Sequence, residues 1–175
     1  MISIAQASPA FRSELFRETS RKMKIHEAII EKDFWVCLTL YLLFTSDTWK
    51  NKIIFKGGTS LSKVFSLINR FSEDIDLILD WRELGFTSED PWKPDSNTKK
   101  DRFVKDTNSK VIGYLKDVFI PGFEKELNDR IGPFISLSLD NNVVHLTYPK
   151  SFDNRAILPH VILEIGPLAE WTPHK

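Results

Sequence analysis

Apolar residues recur at helical spacing in two stretches near the N-terminus, and these predict a pair of helices. The first covers residues 9–23, with Ser8 as its capping residue and Pro9 at the first helical position. The second runs from about residue 26 to residue 44, where the apolar stripe is wide. The width of that stripe indicates a helix that is central to the fold.

Beyond residue 50, short apolar runs typical of strands alternate with helical patterns. The predicted strands are 52–56, 74–79, a hairpin over 133–149 that turns at Asn141-Asn142, and 160–166. The predicted helices are 59–68 and 103–119, the latter interrupted at Pro121-Gly122 and continuing to Arg130, and a polar loop covers 82–102. This order predicts an α/β or α+β fold with a mixed sheet flanked by helices. We expect a single domain over 1–175, with N-terminal helices in 1–50 and the sheet-containing core in 51–175.

Composition and charge exclude several classes of protein. Lys and Arg together number 24 and so do Asp and Glu, so any nucleic-acid surface has to be a local patch. One cysteine excludes an intramolecular disulfide. The most apolar stretch, residues 34–44, is 11 residues long, whereas a membrane span needs about 20. Because the N-terminus also lacks a secretory signal pattern, we expect a cytoplasmic protein.

Two acids lie inside a stretch that otherwise reads as a buried strand. Because strand neighbours point to opposite faces, Asp74 and Asp76 share one face, about 7 Å apart along the strand. Carboxylates placed in this way repel one another unless a cation lies between them, and Mg²⁺ is the usual choice where phosphate is also bound. The alternative is a strand end with solvated acids, because a lone D-x-D is a short and common pattern.

A pair of glycines separates a predicted strand from a predicted helix. A helix N-terminus offers free N–H groups, and Gly57 and Gly58 would let a phosphate approach the backbone. Thr59 or Ser60 can cap the helix or donate a hydroxyl to a phosphate. The alternative is an ordinary turn, because neither the G-x-x-x-x-G-K-[ST] pattern nor G-x-G-x-x-G is present.

The glycine turn and the paired acids together favour nucleotide chemistry. The acids follow the turn by 16 residues, on the next predicted strand. This is the layout needed to hold a nucleoside triphosphate (NTP) together with its Mg²⁺ and to align an in-line attack on phosphorus.

The motifs "FKGGTSLSK" (55–63) and "RFSEDIDL" (70–77) resemble the nucleotidyltransferase-like AbiEii/AbiGii toxin family, within the nucleotidyltransferase superfamily of DNA polymerase beta type. The family pattern is G-G-T-x-L followed by R-x-S-x-D-[IL]-D. The helix "IIEKDFWVCLTLYLLF" (29–44) is also similar to the E-K-D-[FY] helix of that family. The resemblance covers about residues 25–80 and implies a nucleotidyltransferase fold with 51–175 as its catalytic core.

The resemblance also implies roles for individual residues. Glu164 fits the place of a third metal-binding carboxylate beside Asp74 and Asp76; otherwise it is a lone acid at a strand end or edge. Asp80 matches no family position and is interpreted as solvated. The residues implied to contact the triphosphate, around its Mg²⁺, are Gly57, Gly58, Thr59, Ser60, Lys63, Arg70 and Ser72. Two of these have an alternative: Lys63 could be a solvated helix lysine, and Arg70 could pair with an acid of its own turn.

By resemblance the protein is a Mg²⁺-dependent nucleotidyltransferase that moves a nucleotide from an NTP to RNA, with tRNA favoured as acceptor. It would be the toxin of a type IV AbiE-like toxin–antitoxin or phage-defence pair, with a cognate antitoxin as partner. Family members continue after the third acid with a helical region, and we expect that this chain lacks it. Two alternatives stay open: a nucleotide- or antitoxin-binding module without turnover, and a phosphotransferase acting on protein.

A basic segment offers a local patch for RNA. Residues 93–110 hold six Lys or Arg against three Asp. Such a segment can meet an RNA backbone, and Phe86 and Trp92 beside it could stack on a base. The alternative is a solvated loop and helix face.

Overall fold

A computed structural model describes residues 1–63, 74–87, 89–90, 93–155 and 157–166. Predictions for Arg70, Ser72 and Trp92, and for the end of the predicted helix 59–68 beyond residue 63, lie outside the described residues.

The predicted pair of N-terminal helices is confirmed, with a further short helix before it. The three helices are α1 (Ile2–Ala5), α2 (Pro9–Met23) and α3 (Glu27–Thr45). The Ser8 hydroxyl accepts the N–H of Phe11 at 3.2 Å, so the predicted cap begins α2. The side chain of His26 accepts the N–H of Ala28 and begins α3 in the same way.

The predicted mixed sheet is confirmed. Its strands are β1 (Ile53–Lys56), β2 (Asp74–Leu79), β3 (Ser136–Asp140), β4 (Val143–Thr147) and β5 (His160–Gly166). Their order across the sheet is β1-β2-β5-β4-β3. Strands β2 and β5 are parallel, and every other pair is antiparallel. The predicted turn joins β3 to β4, where Asn141 takes the left-handed conformation with φ of 55°.

The remaining helices differ from the prediction in two places. They are α4 (Gly57–Lys63), α5 (Asn97–Tyr114) and α6 (Ile120–Ile131), and a 3₁₀ turn covers Trp81–Leu84. Helix α5 begins at Asn97 instead of residue 103, because the side chain of Ser96 caps it. Its first half is polar and has no apolar stripe, so the sequence pattern does not reveal it. The predicted interruption at Pro121 is wrong. A π-helical segment, Leu115–Phe119, joins α5 to α6, and Pro121 lies in the first turn of α6, directly after that segment.

The two faces of the sheet have different roles. On one face, Ile75, Leu77 and Leu79 of β2 are buried and pack in a cluster with side chains of α3, α5 and α6. On the other face, Asp74 and Asp76 are half-buried and Glu164 is exposed. We call this second face the open face. Successive side chains of β2 therefore point alternately into the core and onto the open face that carries the acids.

A buried carboxylate of α3 holds the segment that leads to β5. Glu31 is 1% exposed and accepts the N–H groups of Ser151 at 2.8 Å and Phe152 at 3.1 Å. Burial raises the pKa of Glu31, and the two backbone hydrogen bonds partly oppose that rise. Glu31, the first acid of the E-K-D stretch, thus has a structural role in this fold.

Candidate active site

Strand register brings the three predicted acids together on the open face. Asp76 lies directly opposite Glu164 in the parallel β2–β5 pair, and Asp74 lies opposite Ile162. Neighbouring strands are about 4.8 Å apart, so Asp76 and Glu164 are side by side, and Asp74 lies about 7 Å along the strand from Asp76. Their roles as metal ligands and catalytic groups stay predictions.

Gly57 packs directly against Asp76. Its φ is +75°, a conformation that favours glycine. A Cβ placed on Gly57 would lie 2.5 Å from Cγ and 2.9 Å from Cβ of Asp76, so the aspartate or the turn would have to shift. The glycine therefore makes the space that the Asp76 carboxylate occupies. The glycine turn of the G-G-T pattern thus packs directly on the strand that carries the paired acids.

The hydroxyl groups of the turn hold it against β2. Thr59 is 1% exposed, and its hydroxyl donates to the carbonyl oxygen of Asp74. Ser60 is 7% exposed, and its hydroxyl donates to the carbonyl oxygen of Gly57 at 2.8 Å. Both side chains therefore position the turn. A phosphate would meet chiefly the backbone of Gly57 and Gly58, which are less buried.

Lys63 forms an ion pair with Asp33, an acid of the E-K-D stretch in α3. The two side chains are 23% and 35% exposed. The solvated-lysine interpretation is therefore wrong. The phosphate role predicted for Lys63 would require the ammonium to leave Asp33.

A double-mutant cycle separates these two roles. We expect Lys63→Met and Asp33→Asn each to lower the free energy of unfolding, with a coupling of about 0.5–1 kcal/mol, because the pair is partly exposed. Urea unfolding of both single variants and the double variant measures the coupling. A rise in the KM for NTP with Lys63→Met but not with Asp33→Asn would instead assign Lys63 to the phosphates.

Lys56 was not singled out from the sequence, although its position makes it a candidate. It is the cross-strand partner of Asp76 in the antiparallel β1–β2 pair and is exposed on the open face. The site therefore has a cation on the side of the glycine turn. Lys56 could be found only from the pairing of β1 with β2, and the spacing of residues along the sequence does not predict that pairing.

The donor chemistry of the three acids fits Mg²⁺, which prefers carboxylate oxygens. The register supports the same assignment, since two of the acids are direct neighbours across strands. In the described part of the chain, however, no three His, Cys, Asp or Glu side chains are gathered closely enough to hold a metal ion as they stand. A bound ion would thus have to draw the carboxylates together, against their mutual repulsion.

In the basic segment, residues 93–110, half of the basic side chains form ion pairs with nearby acids. Three of its lysines are paired: Lys93 with Asp90, Lys99 with Asp95, and Lys110 with Asp106. Phe86 packs on Phe103 with ring centroids 5.2 Å apart, and the ammonium of Lys110 lies 4.0 Å from the centroid of Phe86. These contacts favour the solvated-face alternative, and they occupy Phe86.

The described ranges contain no helix long and apolar enough to cross a membrane.

A five-stranded mixed sheet flanked by helices, with acids on adjacent strands beside a glycine turn, defines a nucleotidyltransferase-like fold. A family model described as "Nucleotidyl transferase AbiEii toxin, Type IV TA system" matches residues 40–175. The match covers 136 of the 175 residues, so the chain belongs to this family of nucleotidyl transferase toxins of type IV toxin–antitoxin systems. Neither a curated protein nor a solved structure matches the chain. The matched range includes the glycine turn and all three acids, whereas the E-K-D stretch precedes it.

Proposed function

We propose that this chain is a cytoplasmic toxin that transfers a nucleotidyl group from an NTP to an RNA acceptor, with tRNA as the favoured acceptor and an antitoxin protein as partner. A role in phage defence follows from the same proposal. The observation that carries it is the register of Asp76 with Glu164, beside a glycine turn that packs against the same aspartate.

The reaction is a displacement at the α-phosphorus of the NTP. The oxygen of an acceptor hydroxyl forms a bond to phosphorus, and the bond from phosphorus to the bridging oxygen of pyrophosphate breaks. The hydroxyl proton passes to Glu164 and from there to water. Because Glu164 is exposed on the open face, an acceptor can reach it from solvent.

Asp74, Asp76 and Glu164 would hold Mg²⁺. When bound, the ion would neutralise the charge that develops on the phosphate oxygens. The chain's own contribution is to hold three carboxylates on a rigid sheet at fixed register, which limits how far each must move.

The β- and γ-phosphates are assigned to the turn from Gly57 to Ser60 and to Lys56 beside it. Backbone N–H groups at the start of α4 would donate to phosphate oxygens. Lys56 would add a positive charge on the same side of Asp76. The contacts proposed for Arg70 and Ser72 rest on the family pattern alone.

Two labelled donors test the proposal. Each of the four NTPs, labelled at the α- or the γ-phosphate, is incubated with total tRNA, other RNA and Mg²⁺. Nucleotidyl transfer puts the α-label into RNA and releases the γ-label as pyrophosphate. Transfer of the γ-label to protein would contradict the proposal and indicate a phosphotransferase.

A second candidate is a nucleotide- or antitoxin-binding module without turnover. It is favoured by the observation that the described carboxylates are not gathered into a metal site. NTP binding seen by calorimetry, together with no label in RNA at any Mg²⁺ concentration, would support this module over the enzyme.

A further inference from the structure

Two histidines meet on the open face. The rings of His145 on β4 and His160 on β5 are in edge-to-face contact, with centroids 4.6 Å apart. Both residues are half-buried. Nδ1 of His145 is buried and has no hydrogen-bond partner among the described residues. A buried imidazole nitrogen without a partner is costly in a core, so the pair is poorly explained by packing alone.

Strand register places this pair beside the acids. His145 lies opposite Ile162, which in turn lies opposite Asp74. His145 and Asp74 are therefore in one row across three strands and on one face, with Cα atoms about 10 Å apart. The acids occupy β2 and β5, and the histidines occupy β5 and β4. The two groups thus form one continuous surface.

The in-line geometry of the displacement indicates which substrate binds next to the histidines. In an in-line displacement, the attacking oxygen and the leaving oxygen lie on opposite sides of phosphorus. The leaving pyrophosphate is assigned to the turn at Gly57, on the β1 side of Asp76. The acceptor must then approach from the other side of the acids, which is the side of β5 and β4.

The side chains in that direction suit a ribonucleotide. An imidazole ring can stack on a base or donate to a phosphate or a ribose hydroxyl. Two exposed serines of the edge strand, Ser136 and Ser138, continue the polar surface, and Ser138 pairs directly with His145. Asp140 is also exposed, but it lies in the row of Glu164 and Val143. A nucleic-acid strand avoids that acid by following the row of His145.

We propose that His145 and His160 bind the terminal nucleotide of the RNA acceptor and present its hydroxyl to the acids. The assignment rests on the proposed function and adds to it the place of the acceptor. The ligand is a single-stranded RNA end, because only an unpaired base can stack on a side chain.

The test measures the two substrates separately. A short single-stranded RNA with a free 3′ hydroxyl is the acceptor, and His145→Asn, His160→Asn and the double variant are compared with the natural chain. Asparagine keeps hydrogen bonding but removes the ring. We expect the KM for RNA to rise about tenfold in the double variant, because base stacking on a side chain contributes about that factor or more. The KM for NTP should stay unchanged, which also reports that the variants fold.

His26→Asn is the matched control. His26 caps α3 and belongs to none of the strands that form the open face. Asparagine is itself a good capping residue, so the helix should be kept. The KM for RNA should not change in this variant.

A second readout does not need turnover. Fluorescence anisotropy of the labelled RNA is measured with Asp76→Asn protein, with and without the two histidine substitutions. Loss of affinity with the histidines removed supports the proposal, and equal affinity or no RNA binding overturns it. Label transfer to RNA with an unchanged KM for RNA also overturns it while leaving the proposed function intact. Label that enters a protein instead of RNA overturns both.

Discussion

Replacing Asp76 with asparagine is expected to abolish nucleotidyl transfer while the fold is kept. Asp76 is the acid between the two halves of the site, since it lies opposite Glu164 in the strand register and packs on Gly57. Loss of one metal-binding carboxylate should lower the rate at least about a thousandfold. Incorporation of an α-labelled NTP into RNA measures this effect.

The free energy of unfolding shows whether Asp76→Asn loses activity through its chemistry or through loss of the fold. Because three carboxylates on one face repel one another, Asp76→Asn should leave the free energy of unfolding unchanged or slightly higher. Asp80→Asn is the control. Asp80 follows the same strand, caps the 3₁₀ turn and pairs with Arg82, and asparagine preserves the cap. Equal activity in Asp76→Asn and the natural chain would show that the reaction does not require Asp76.

Gly57→Ala is expected to lower activity at least about a hundredfold, because a displacement of about 1 Å in a catalytic group has an effect of that size. The added methyl group would occupy the position of the Asp76 carboxylate. The left-handed backbone adds a stability loss of about 1–2 kcal/mol. Label transfer and urea unfolding, measured on the same protein, give the two effects separately.

Gly85→Ala separates the clash from the backbone effect. Gly85 has a nearly identical φ of +78°, but a Cβ there would meet nothing within 4 Å. Both variants should therefore lose similar stability through the backbone, whereas Gly85→Ala should keep its activity within about twofold. A similar loss of activity in the two variants would mean that Gly57 acts through stability and not through Asp76.

Much of this fold could be predicted from the sequence because its strands alternate cleanly. The bounds predicted for β2 and β5 agree with the structure, because each is a short, mostly apolar run whose residues are alternately buried and less buried. Helix α5 was predicted too short at its start, because a solvent-exposed first half carries no apolar stripe. The sequence predicts an interruption at Pro121, because sequence patterns do not show that a π-helical segment can precede it in a continuous helix.

The candidate site was predictable in its residue types but not in its contacts. Paired acids and paired glycines are visible in the sequence, whereas the packing of Gly57 on Asp76 depends on a three-dimensional approach. The ion pair of Lys63 with Asp33 joins residues 30 positions apart and carries no local pattern. Lys56 and His145 likewise carry no local pattern, because only the strand order places them in the same rows as the acids.

The parallel pairing of β2 with β5 also decides when the site can exist. Asp76 and Glu164 are direct neighbours across strands, but they are 88 positions apart along the chain (76 to 164). During synthesis, the four other described strands of the sheet leave the ribosome before β5 does. Contacts this far apart in sequence form late and slowly. A growing chain therefore carries its paired aspartates without their third acid, and the complete set of carboxylates arises only when β5 inserts between β2 and β4.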